Sequence, residues 1–220
     1  MKKIDYKLEK VGDRIYHLII PDHYNMCMVF CRIQEFYESP FKEIRGKNFT
    51  FFDLMEVYSR KKGEGCFTYT IDWGGFNVPS DSIKNCYYGN HEIIDLNHYD
   101  SVIKEVHEQI NDSDYYLIGT TGNDKETLKH ETVHGFYHLN EKYRKEVISI
   151  LKEVSNKSYN DMKTFLLNIG YTNKVVADEI NAYLTAGDGA LWEGIKVTKK
   201  LAGTAKKLQL LFEQYENANK

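Results

Sequence analysis

The chain changes character near residue 97. Its three prolines, Pro21, Pro40 and Pro79, all lie before residue 80, and a proline inside a helix removes a backbone donor and clashes with the preceding turn. Beyond residue 97, apolar residues recur three and four apart. Tyr99, Val102, Ile103, Val106 and Ile110 form one such set, and Tyr143, Val147, Ile150, Leu151 and Val154 a second. Phe165, Leu166 and Ile169 run up to Gly170, and Leu201, Ala205, Leu208, Phe212 and Tyr215 form a last set. Each marks the buried face of an amphipathic helix, so the second part of the chain is expected to be helical.

The first 96 residues read as a mixture. Ile15 to Ile20, stopped by Pro21, and Phe67 to Trp73 are rich in β-branched and aromatic residues and predict strands. Thr50-Phe51-Phe52-Asp53, a threonine with an acid three residues on, predicts a helix start. The run from Met26 to Glu38 fits helix or strand, and Asp72 to Ser80, with two glycines and a proline, reads as an ordered loop. The expected fold is α+β: one domain over residues 1–220, with a mixed lobe and small sheet at 1–96 and a mainly helical lobe at 97–220.

With 220 residues, 42% hydrophobic and 28% charged, the chain can bury a sizeable core. A net charge of -3 with interspersed signs offers no basic face for nucleic acid. No apolar stretch is long enough for a membrane segment, and Met1 to Lys7 lacks a signal-peptide core, so a cytoplasmic location is expected. Cys27 and Cys31, among Met26, Met28, Val29 and Phe30, read as buried thiols.

Chemistry concentrates at His130-Glu131-Thr132-Val133-His134, a His-Glu-x-x-His box. Just upstream, Tyr115 to Gly119 predicts a short strand and Thr120 to Asp124 a turn into the helix carrying the box. On a helix, residues four apart share a face, so both imidazoles can close on one metal ion, with Glu131 beside it to move protons. Zn2+ is the expected ion and amide hydrolysis the expected reaction. A hydrolytic site usually takes three protein ligands. His138 continues the spacing, but eight residues of helix rise about 12 Å, too far for one ion to bind all three histidines. It reads as lining the site or packed beneath it. Glu179, near the margin of the apolar face of a helix spanning Val175 to Leu184, is the better donor.

The box followed by Glu179-Ile180-Asn181-Ala182 resembles the gluzincin-type zinc metallopeptidases, and the resemblance covers about residues 114–188. It is also similar to the ImmA/IrrE-type metallopeptidase domains, whose interval between the two motifs is shorter; here about residues 142–170 are inserted. The resemblance implies His130, His134 and Glu179 as metal ligands, Glu131 as general base, and a peptide or protein as substrate, bound in a cleft between the lobes. Many gluzincins place an Asp four residues after the ligand Glu, where this chain has Tyr183. Tyr183 reads either as a donor to the developing oxyanion or as a packed phenol. Asp178 is expected to face solvent, the alternative being an orienting acid for a metal-bound imidazole. Two other readings compete. One is a zinc-binding interaction or sensor module without catalysis. The other is a deformylase-like amide hydrolase, because Glu64-Gly65-Cys66-Phe67 resembles the element in which peptide deformylases supply a cysteine ligand; the plainer view of it is a turn entering a strand at Phe67.

Overall fold

The structure, a computed structural model, describes residues 3–89, 93, 95–187 and 199–218. Its architecture is α+β, with one small mixed sheet and many helices. The chain divides into two compact units, Met1–Asp124 and Lys125–Lys220. The division falls after Asp124 rather than near residue 97. Among the described residues no helix is long and apolar enough to cross a membrane.

In the first unit, β1 (Lys7–Gly12), β2 (Ile15–Ile19), β3 (Phe76–Pro79) and β4 (Tyr116–Thr120) form one sheet in the order β1-β2-β4-β3. β2 runs antiparallel to β1 and parallel to β4, and β3 closes the far edge antiparallel to β4. Every residue of β4 is buried, which is why its sequence is an apolar run instead of an alternation.

Helix α1 (His23–Glu38) resolves the ambiguous run. Asp22 caps it, its Oδ1 accepting from the Asn25 N–H at 2.8 Å. All residues from Met26 to Glu35 are buried, so no side of the helix faces water over this stretch. The Phe30 ring stacks on Phe76 with centroids 5.1 Å apart. A Cβ on Gly119 would lie 2.2 Å from that ring, so the glycine in β4 is what allows the helix to seat on the strand. Cys27 and Cys31 are buried thiols, as expected, and burial pushes the Cys27 thiol up to about 12.

Thr50 opens helix α2 (Phe51–Lys61) with the reciprocal bonds expected of its sequence: its Oγ1 accepts from the Asp53 N–H and the Asp53 carboxylate accepts from the Thr50 N–H. The strand expected at Phe67 to Trp73 is not formed. Tyr69–Asp72 is a short helix, α3, and the strand lies later, at β3, inside the expected loop. The Asp72 carboxylate accepts from the hydroxyls of Thr68 and Tyr58, both at 2.7 Å, which closes the turn. The rings of Phe67 and Tyr69 pack on Tyr58 at 5.6 and 5.1 Å. Aromatic residues favour strands because strands give them partners to pack against; here neighbouring helices supply those partners. Pro79 ends β3 on the sheet edge, where no ladder donor is lost, and α4 (Ser80–Tyr88) follows.

Helix α5 (His98–Gln109) starts where the helical pattern begins, but packs on α1 within the first unit. A buried ion pair joins these two helices. Arg32 Nε donates to Asp100 Oδ1 at 2.9 Å, Nη2 to Asp95 Oδ1 at 3.0 Å and Nη1 to the Phe49 carbonyl at 2.8 Å.

Helix α1 also buries Glu35, which is 1% exposed. Burial raises its carboxyl from an ordinary 4.5 to about 7, with only partial opposition from Ser39 and the charge of Lys62. The folded state therefore holds a proton that the unfolded chain has already released above pH 4.5. This contribution to stability is complete below the unfolded value and is lost as pH rises through 7. Relative to Glu35→Gln, the parent is expected to lose about 3 kcal/mol between pH 4 and pH 8. Denaturant titrations of both proteins across that range check it; a pH-independent difference would contradict it.

The second unit is helical throughout its described residues. It contains α6 (Lys125–Leu139), α7 (Glu141–Leu151), α8 (Asn156–Asn168), α9 (Val176–Ala186) and α10 (Lys199–Ala218). Helix α9 is the hub: it packs on α6, α8 and α10, and buries Val176, Ile180 and Leu184 on one face. Leu201, Leu208 and Phe212 of α10 are buried, as their spacing predicts. Phe136 of α6 meets Phe212 edge-on at 5.5 Å.

Candidate metal centre

Helix α6 runs unbroken through Gly135, so His130 and His134 project from the same face one turn apart. The segment from His130 to Gly135 is buried although mostly polar. Thr132 satisfies its hydroxyl locally by donating to the Leu128 carbonyl at 2.7 Å. Helix α9 packs on α6 and faces the two histidines. Glu179 Oε2 stands 3.8 Å from His130 Nε2, and Glu179 Oε1 stands 3.6 Å from His134 Nε2.

His130, His134 and Glu179, all buried, thus offer ligand atoms within 4.8 Å of one another and could hold a metal ion. Bonds of about 2.1 Å at tetrahedral angles put ligand atoms about 3.4 Å apart. The two imidazole–carboxylate separations, each to a different Glu179 oxygen, lie within a few tenths of an ångström of that value. Glu179 Oε2 is buried without a hydrogen-bond partner among the described residues, an arrangement that costs stability unless a cation satisfies it.

Asp178 departs from expectation. Instead of facing solvent, it places Oδ1 3.0 Å from His134 Nδ1, on the ring edge opposite Glu179. Burial works against protonation of His134, but Asp178 and then Glu179 outweigh it and push the imidazole well above its ordinary range. Two carboxylates on one buried imidazole create a demand for positive charge that a proton or a metal ion can meet. A carboxylate on the remote ring nitrogen also fixes which nitrogen is free to ligate.

Glu131 is 9% exposed and lies within charge reach of His134. Tyr183 is 8% exposed, and its ring meets that of His130 edge-on at 4.8 Å. His138, one turn beyond the box, is exposed, and its carbonyl accepts from Arg144 Nη1 at 2.9 Å. It lies outside the ligand group, as the rise of the helix requires. Cys66 is exposed in the first unit, and is not part of the His130–His134–Glu179 group. Its neighbours Glu64 and Gly65 have φ of 49° and 95°, and the Cys66 N–H bonds the Gly63 carbonyl at 2.9 Å. This is the turn the sequence predicts, without the strand.

Tyr171 is a site residue that the sequence reading missed. Helix α8 ends at Asn168, Gly170 with a φ of 110° turns the chain back, and the Tyr171 N–H bonds the Leu166 carbonyl at 3.1 Å. Burial, with Glu179, Tyr183 and Glu131 nearby, pushes its hydroxyl above the ordinary tyrosine range. No periodicity marks a residue in a turn between helices, so its place emerges only from the fold. No protein-family model matches the chain, and no curated protein or solved structure does so either.

Proposed function

We propose that this protein is a zinc-dependent metallopeptidase, similar to the gluzincin type. The observation that carries the reading is the buried His130–His134–Glu179 group, with Glu131 on the same helix turn. Two imidazoles and a carboxylate are a donor set that suits zinc, and an ion held by His130, His134 and Glu179 would supply a polarised water at neutral pH. Glu131 would accept a proton from the attacking water and return it to the leaving amine. Asp178 holds His134 in the orientation that turns Nε2 toward Glu179. Tyr183, lodged against His130, donates to the charge that develops on the carbonyl oxygen.

The purified chain is expected to carry one zinc ion. Chelation should abolish cleavage of a peptide library and lower the melting temperature, and added zinc should restore both. When free zinc exceeds its Kd a thousandfold, the linked stabilisation is about 4 kcal/mol. A chain without stoichiometric transition metal, unchanged by chelator, would refute the proposal.

A further inference from the structure

We propose that the cavity between α7, α8 and α9 binds a small amphipathic carboxylate, whose apolar body enters the cavity and whose charged end pairs with Lys152. The cavity has a volume of about 370 Å³, within the range of about 300–1,000 Å³ usual for small-molecule sites. Ile148, Leu151, Val154, Tyr159 and Ala177 supply an apolar wall, and Lys152 and Asn156 stand beside it. All but Ala177 fall in the inserted stretch of about residues 142–170. Ala177 precedes Glu179 by two positions, about 200° around α9, so the cavity adjoins the side of that helix turned away from the metal ligand. The insertion thus builds a site that metal binding does not use. Its frame is fixed in advance: the N–H groups of Lys152, Glu153 and Val154 bond the carbonyls of Ile148, Ile150 and Leu151 at 3.1, 3.0 and 3.1 Å, and Ser155 Oγ accepts from the Ser158 N–H at 3.2 Å. Ile148 is left 37% exposed. Glu153 is paired with Lys207, whereas Lys152 has no ion pair among the described residues. No acid lines the cavity, and an apolar wall beside an unpaired cation suits a ligand with an apolar body and one negative end.

Calorimetric titration of the full chain with hexanoate, octanoate and decanoate tests the assignment. One molecule per chain is expected, with affinity rising about fourfold per added methylene until the cavity is filled. Acetate, which has the charge without the body, should not bind. In methyl NMR spectra the shifts caused by octanoate should centre on Ile148, Leu151, Val154 and Ala177. Lys152→Met keeps the aliphatic stem and should weaken octanoate about fivefold, the scale of one exposed ion pair, while octanol binds as to the parent. Lys152→Glu should transfer the preference to octylamine. Ile148→Trp, at the exposed rim, should block every chain length without moving the thermal midpoint. Uptake that is absent or fails to saturate at one per chain, methyl shifts centred elsewhere, or octanoate affinity indifferent to Lys152→Met overturns the assignment. These readouts need neither zinc nor peptide cleavage, so they leave the hydrolytic reading to its own test.

Discussion

Glu131→Gln is expected to retain zinc at parental stoichiometry while peptide turnover falls roughly 10²- to 10⁴-fold, the range for loss of a positioned general base. Gln keeps the length and shape of the side chain, so helix α6 and the spacing of His130 to His134 should survive. It cannot take a proton. Since Glu131 is outside the group of three ligand atoms, the variant separates binding from chemistry. Metal analysis beside single-turnover cleavage reads both. A Gln variant that cleaves at the parental rate would rule out Glu131 as the base; one that loses zinc would instead assign Glu131 to the ligand set.

The largest effect on stability is expected far along the chain from this site. Arg32 and Asp100 are 3% and 4% exposed on their side chains. Arg32→Ala would leave Asp100 in the core with its bonds from the Tyr87 hydroxyl at 3.0 Å and the Asn97 N–H at 3.1 Å, but without its cation. Removing one partner of a buried pair typically costs 3–5 kcal/mol, because the remaining charge has neither water nor counter-ion. About 4 kcal/mol is expected in denaturant titrations. Arg32→Met combined with Asp100→Asn removes both charges and should recover more than half of the loss. If the double variant is as unstable as Arg32→Ala, the cost lies in lost packing and not in an orphaned charge.

Arg32 also illustrates what the linear chain hides. In sequence it stands among Glu35, Tyr37 and Glu38, with nothing to show what it would face. Its partners, Asp95 and Asp100, lie more than sixty positions away, and no local spacing encodes that pairing. Helix α1 was illegible for a related reason. Periodicity reveals a helix only when one face is wet, and Met26 to Glu35 are buried on every side. At Phe67 to Trp73 propensity misled, because a cluster of aromatic rings gave those residues the packing a sheet would otherwise provide.

By itself the sequence determined the surface helices of the second unit, the capped start of α2, the strands β2 and β4, and the core of the candidate site. The reason is that these are short-range properties. Helical spacing puts His130, Glu131 and His134 together within one turn, and the apolar stripe around Glu179 orients that carboxylate before any tertiary contact is known. Only the packing of α9 on α6 decided the rest. It brought Glu179 within 4 Å of both imidazoles and turned Asp178 onto the far nitrogen of His134. The turn after α8 brought Tyr171 near Glu179 and Tyr183. Such contacts depend on the rotation and register of one helix against another, set by the summed burial of many side chains and written in no single segment.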